Sequence, residues 1–336
     1  MSLISRILKA NPSAQVSDML TGYFVIPSAK GVFFELPASL GVFAGGGLTS
    51  SITNDIEYLN ISSAGNSVFF GDLTTLAVYA AACASTTRGI FAGGHGTYNV
   101  DDERNIIEYI SFASTGNATD FGDLTASRAG VNGVSSSTRG VFIGGREVSN
   151  SARNKIDYVT IATTGNATTF GTISPDRMLG APVNSTTRGV IMAGYPSGLT
   201  NSIDYITIAT TGNTTNFGNA LAANLGAAGC SSSTRGVMMG GNLGGGVSDN
   251  TIQYITIAST GNSTDFGDLT IARQHPAGVS NSVTGVCIGG EIVTGAINQT
   301  RMDSITIATT GNATTFGDMT VAKGPSNGTS NCHGGL

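Results

Sequence analysis

A block of about 49 residues recurs six times along this 336-residue chain, and no other feature of the sequence restricts its fold so strongly. A period of that length belongs to arrays and propellers, in which each unit is one supersecondary element that cannot bury its apolar face alone. The clearest mark is a glycine followed by an apolar run and a small pair, at residues 41–46, 89–94, 140–145, 189–194, 236–241 and 285–290. Next comes a strand-like Ile-acid-Tyr, read at Ile56-Glu57-Tyr58, Ile107-Glu108-Tyr109, Ile156-Asp157-Tyr158 and Ile203-Asp204-Tyr205. It becomes Ile252-Gln253-Tyr254 in the fifth unit and a degenerate Met302-Asp303-Ser304 in the sixth. A Gly-Asn pair follows in every unit, at Gly65, Gly116, Gly165, Gly212, Gly261 and Gly311, and such a pair between two β runs predicts a tight hairpin. Each unit then closes on Phe-Gly, at Phe70, Phe121, Phe170, Phe217, Phe266 and Phe316.

These marks divide a unit into four short strands, which in the third unit are expected over residues 130–136, 140–144, 156–162 and 167–173. The predicted turns between them are Thr138-Arg139-Gly140 and Thr164-Gly165-Asn166. The third strand carries apolar residues on both faces, as in Ile203, Tyr205, Ile206 and Ile208, which fits a sheet sandwiched between neighbouring sheets. Composition agrees: 48 Gly, 40% hydrophobic and only 11% charged residues, with polarity carried by Thr, Ser and Asn, describe a turn-dense β protein with a sizeable core. At the ends, 324–331 matches a first strand with no second strand after it, while the glycine strand at Gly41 has no first strand before it. The expectation is an all-β, six-bladed propeller with four-stranded blades, residues 41–336, closed by the C-terminal strand joining the first blade.

The apolar strand ending in Gly-Gly, the Tyr of the next strand and the aromatic of the fourth resemble the kelch family of β-propellers over residues 41 to about 331. Phe stands where kelch repeats carry Trp, and the chain has no Trp at all. The resemblance implies the propeller fold and does not extend to the eukaryotic adaptor subgroup.

Antiparallel order puts the two tight turns of each unit on one face and the longer connections on the other. The loops between second and third strands differ most between units and concentrate charge and aromatics, and on a rigid scaffold such loops carry recognition. The candidate binding residues are therefore His95, Tyr98, Asp101, Asp102, Glu103, Arg104, Arg146, Glu147 and Tyr195. Arg88, Arg139, Arg188 and Arg235 of the Thr-Arg-Gly turns form either a cationic ring or, the favoured reading, hydrogen-bonded pins on their own or neighbouring turns.

No catalytic, cofactor or metal site is expected. His95, His275 and His333 stand at no metal-ligand spacing with one another or with a cysteine. Asp72, Asp123, Asp268 and Asp318 recur with the repeat and suit a turn role better than paired acid–base work. Cys83, Cys230, Cys287 and Cys332 are far apart and read as buried thiols. A net charge of −5 gives no footprint for nucleic acid, and neither a signal segment nor a membrane span is expected.

Residues 1–40 lie outside the repeat, include Pro12, Pro27 and Pro37, and are too few for a core of their own. Two readings stand side by side, an attachment arm and a disordered leader, with 2–9 open to a short helix. The near-identical Thr-Ile-Ala-Thr-Thr-Gly-Asn repeats and low charge resemble proteins of tailed bacteriophages, particularly those with marine or cyanobacterial hosts. That resemblance implies a virion protein made in the host cytoplasm, its arm fixed to other virion proteins of the tail, neck or capsid. The loop face would touch a host surface glycan or protein, or a neighbouring subunit, and assembly as a homo-oligomer stays open. The rival readings are a soluble lectin-like or scaffold propeller binding carbohydrate or protein, and an enzyme.

Overall fold

In each repeat the apolar residues of adjacent strands face both ways, so a sheet must be covered on both sides, and stacking the units around an axis achieves this. The computed structural model describes residues 27–28, 31–32, 36–97, 102–147, 154–195, 198–292, 297–324 and 327–336. It separates into two units, residues 1–38 and 39–336. In the first, the described part is residues 36–38 and a short ladder of Pro27–Ser28 with Gly31–Val32, and the short helix considered at 2–9 lies outside the described residues.

The second unit is a six-bladed β-propeller of four-stranded antiparallel sheets, with no helix among its described residues. Blade 3 is typical, with Asn132–Ser135 innermost, then Arg139–Ile143, Lys155–Thr160 and the outermost Thr168–Thr172, each within two residues of the sequence expectation. Blade 1 takes its innermost strand from the far end of the chain: Asn327–Ser330 pairs with Leu40–Gly47, Ser330 opposite Gly41. This closure leaves no innermost strand unpaired and removes the edge an open ring would expose.

The core lies between blades. Val134, Val141, Ile143, Ile156 and Phe170 of blade 3 pack with Ile191, Ile206 and Ile208 of blade 4, and the pattern repeats around the ring. In blades 1 to 5 the strand Tyr meets the Phe of Phe-Gly edge to face, as Tyr158 does Phe170 at 6.0 Å between centroids, the geometry ring quadrupoles favour.

One expectation needs correction. Gly-Asn does not form the hairpin turn. In blade 3 the connection runs from 161 to 167, its turn is made by Thr163 N–H on the Thr160 carbonyl, and Gly165-Asn166 reaches across to blade 2. There Gly165 N–H donates to Phe121 O at 2.8 Å, and Asn166 Oδ1 accepts from Asp123 N–H at 3.1 Å. The same lock forms at all six junctions, the last joining Gly65 to Phe316 and Asn66 to Asp318. This contact explains the glycine after each Phe: a Cβ on Gly71 would lie 2.2 Å from the Gly116 carbonyl oxygen.

The turn arginines are pins, as favoured. Arg139 stacks 4.4 Å over Tyr158 and donates to the carbonyls of Ile208 and Ala209 in blade 4; Arg88, Arg188 and Arg235 repeat the arrangement.

A second set of cations was not foreseen. Arg128, Arg177, Arg273 and Lys323, in the connections that enter blades 3, 4, 6 and 1, are fully buried and pair with Asp157, Asp204, Asp303 and Glu57, the acids of the Ile-acid-Tyr strands. Burial raises the pKa of Glu57, but Lys323, Ser67 and the Thr320 N–H outweigh it and hold the carboxyl below its usual value. In blade 5 both corresponding positions are neutral: Gln253 Oε1 accepts from Leu221 N–H, and Asn224 Nδ2 donates to Gly240 O and to the Asp249 carboxylate. In blade 2 the cation's place is taken by Ala77, and Glu108 accepts from Thr74 N–H at 2.6 Å.

Residues 333–335 lie inside the ring. His333 lies at the turn-face end of the innermost strands, with Nε2 3.2 Å from both Ala84 O and Ser135 Oγ and Nδ1 3.3 Å from Asn184 Nδ2. Gly334 N–H donates to Ser231 O, and Gly335 fits where a Cβ would meet Asn184 and Ser135 at 2.0 and 2.1 Å. These residues therefore fill the channel on that face. No helix among the described residues is long and apolar enough to cross a membrane.

Candidate functional site at the axial mouth of the loop face

On the opposite face the channel widens into a cavity of about 360 Å³, within the range of about 300–1,000 Å³ typical of small-molecule sites. Two sets of segments build it. One is the connection from each outermost strand to the next innermost strand; the other is the chain just beyond the Gly-Gly pair. They meet in single antiparallel bridges, Val78 with His95, Ala129 with Arg146, Met178 with Tyr195, Leu225 with Asn242 and Gln274 with Glu291. The Gly-Gly pair makes this possible: Gly94 has φ +97°, and a Cβ there would lie 2.8 Å from Val78 O.

One residue past each bridge the backbone turns left-handed. These residues, Tyr79, Gly130, Leu179, Gly226 and His275, form a hydrogen-bonded chain around the axis. Gly130 donates to Tyr79 O, Leu179 to Gly130 O, Gly226 to Leu179 O and His275 to Gly226 O, at 2.7–2.9 Å. Large side chains and glycines alternate. Tyr79, Leu179 and His275 have φ of 59°, 54° and 52°, a conformation that costs a residue with a side chain about 1–3 kcal/mol and that concentrates at ligand clamps and active sites. The glycines make room: a Cβ on Gly226 would sit 2.4 Å from the His275 ring. Tyr79 packs edge to face on His275 at 5.3 Å and on His95 at 6.4 Å.

The polar groups are concentrated on one side. Arg146 Nη2 lies 2.9 Å from Glu103 Oε1 and 3.1 Å from His95 Nε2. Since a guanidinium only donates, His95 Nε2 accepts and the ring proton sits on Nδ1, which is buried without a partner, as is Glu103 Oε2. Burial lowers the His95 pKa, Glu103 opposing and Arg146 assisting, so the ring is neutral near pH 7. His275 donates from Nδ1 to Glu291 Oε1 at 3.1 Å, leaving Nε2 buried and unpartnered. That bond, aided by the charge interaction with His275 and by Gln274, keeps the Glu291 carboxyl below its usual pKa against the pull of burial. Met178, Leu179 and Leu225, from the connections entering blades 4 and 5, make the other side apolar.

Of the residues expected to bind, His95 and Arg146 line this cavity, and Glu103 stands directly behind them. They are not solvated loop charges, as a polar loop would imply; His95 and Glu103 are buried, and with Arg146 they tie blade 2 to blade 3. Arg104 turns to Leu76 O and Asp102, and Asp102 accepts from Gly96 N–H. Glu147 pairs with Lys155 away from the cavity, and Tyr195 contributes its backbone to the Met178 bridge. Tyr98 and Asp101 lie outside the described residues.

Tyr79, Met178, Leu179, Leu225 and His275 were missed because the connections holding them read only as links. Aligning the repeats exposes the signal, a position that alternates large residue and glycine from Tyr79 to His275. Among the described residues no group of three or more His, Cys, Asp or Glu could hold a metal ion. No family model matches this sequence, and no curated protein matches it.

Proposed function

We propose that this chain is a non-enzymatic recognition and display protein, a kelch-like propeller belonging to the virion of a tailed phage. Segment 1–40 attaches it to tail, neck or capsid, and the loop face engages a host surface or a neighbouring virion protein. The observation that carries the recognition role is the axial cavity: three side chains are held left-handed around it, a strain that the stability of the ring alone does not require, since glycine serves the same backbone role at Gly130 and Gly226. The plugged turn face supports the same reading, because it makes the loop face the route by which a ligand reaches the axis. The virion assignment is supported by the style of the repeat and the low charge of the chain. Mass spectrometry of purified particles from the source tests it: peptides from Met1 to Lys30 and from the propeller are expected together at stoichiometric level. Their absence from intact particles would remove the virion role and leave a free carbohydrate- or protein-binding propeller.

A further inference from the structure

We infer that the axial cavity takes an uncharged sugar ring, such as the terminal hexose of a glycan, with its apolar face on Leu179, Met178 and Leu225 and its hydroxyl edge toward His95, Arg146 and His275. This rests on the reading of the loop face as a recognition surface and names its ligand class.

Three observations lead there. The first is charge. Arg146 is the one cation among the described residues lining the cavity, and Glu103 neutralises it at 2.9 Å, while the Glu291 carboxylate stands behind His275. Nothing remains to compensate a phosphate or carboxylate ligand, and an anion would face two carboxylates. The second is the division of the wall. Polar side chains come from blades 2 and 3 and the connection entering blade 6, with Val78 and Ala129 the small apolar groups beside them, while the large apolar side chains Met178, Leu179 and Leu225 come from the connections entering blades 4 and 5, so the site suits an occupant with an apolar face and a polar edge. A pyranose, with C–H groups on its faces and hydroxyls around its rim, is built in that way. The third is the hydrogen-bonding inventory. His95 Nδ1–H is an unpartnered donor and Glu103 Oε2 an unpartnered acceptor, and His275 Nε2 is unpartnered too, an acceptor in the neutral ring and a donor in the protonated one. A site that leaves both kinds of group unmatched suits hydroxyls, which donate and accept at once. His275 is only half-buried, so a small rotation of its ring would bring Nε2 to a ligand. The cavity is near the small end of the ligand-site range, enough to bury one ring and leave the rest of a chain outside.

The left-handed positions supply clean variants. Leu179→Gly and Tyr79→Gly keep the backbone conformation, relieve its strain and remove the wall the sugar would touch, so the fold is expected to survive. The full chain is titrated by saturation-transfer NMR and calorimetry with methyl glycosides of glucose, galactose, mannose and N-acetylglucosamine, and in parallel with glucuronate and adenosine. The expected result is saturable binding of at least one uncharged glycoside, weakened at least 10-fold in each glycine variant, with the melting temperature equal to or above that of the parent. Saturable binding by glucuronate or adenosine alone would overturn the sugar assignment while leaving the cavity as a recognition site. An uncharged glycoside that binds equally well to the parent and both variants would overturn the cavity as its site, and the absence of any binding would overturn the inference outright. The particle measurement is independent of all three outcomes.

Discussion

Replacing Arg128 by Asn is the most informative perturbation of the scaffold, because blade 5 carries neutral residues at both positions of the corresponding pair. Arg128 and Asp157 are both 0% exposed, with Nη2 and Oδ2 2.6 Å apart, and Arg128 Nη1 also donates to the carbonyls of Gly144 and Lys155 at 2.6 and 2.8 Å. Removing one partner of a fully buried pair strands the other charge and costs about 3–5 kcal/mol. The propeller has about 300 residues, and at about 2.1 cal/mol/K per residue its unfolding entropy is near 0.6 kcal/mol/K, so Arg128→Asn is expected to lower Tm by about 5–8 °C. In blade 5 the corresponding residues are Asn224 and Gln253, and Gln253 Oε1 accepts from Leu221 N–H as Asp157 does from Thr125 N–H. Adding Asp157→Gln to the first change should therefore bring stability back to within about 1–2 kcal/mol of the parent, since a neutral pair no longer buries an unmatched charge. Urea denaturation and calorimetry of the parent, both single variants and the double variant form the cycle. A single-variant loss below about 1 kcal/mol, or a double variant no better than the singles, would refute the view that these pairs matter through matched burial.

Other expectations follow from the same contacts. Gly71→Ala forces a Cβ to 2.2 Å from the Gly116 carbonyl and should cost about 1–3 kcal/mol, whereas Gly65→Ala, with nothing within 4 Å, should stay within about 0.5 kcal/mol by urea midpoint. Burial pushes the His333 pKa down to about 4, against the bond to Ala84 O. The unfolded chain, with a pKa near 6.5, takes up the proton first, so this contribution is intact above about pH 6.5 and is lost as pH falls toward 4, by up to about 3 kcal/mol. His333→Gln should flatten the stability profile in that window, and an unchanged slope would contradict the placement of His333. The thiols of Cys83 and Cys287 are pushed up by burial to about 12 and about 11, and Cys230 is raised further. An aromatic disulfide reagent at pH 8 should therefore leave these three untouched until the chain is denatured; rapid native reaction at any of them would show that the blades open.

Repetition made the fold legible. Six copies of one strand pattern, together with a first strand displaced to the far end, were enough to read blade number, strand count and the ring closure at Asn327–Ser330. What stayed hidden is what passes between repeats. Gly165-Asn166 looks like a local turn and is instead a bond to the preceding blade, and the acid of Ile-acid-Tyr looks like an exposed alternation partner although Asp157 is 0% exposed. Its cation, Arg128, is nearly 30 residues upstream, too far for any local pattern, and only the joint change to Asn224 and Gln253 hints at the link. At the site, His95, Glu103 and Arg146 stood out because charge is conspicuous in a chain with only 11% charged residues. Leu179 and Tyr79 did not, since an apolar residue in a short connection gives no sign that its backbone is left-handed.

The meeting of residue 40 with residue 331 also determines how the ring responds to force. Leu40 N–H donates to Asn331 Oδ1 and Asn331 N–H to Leu40 O, so residues 40 and 331 stand side by side at one end of a single antiparallel pair. Tension applied between the segment before Leu40 and the segment after Asn331 would open that pair like a zipper, one hydrogen bond at a time, once the His333 plug is drawn out. Tension between the segment before Leu40 and a ligand in the axial mouth follows another path, along strand Leu40–Gly47, shearing its bonds to both neighbouring strands and loading many at once. The same disc is thus mechanically soft across its seam and stiff from its entry point to its axis.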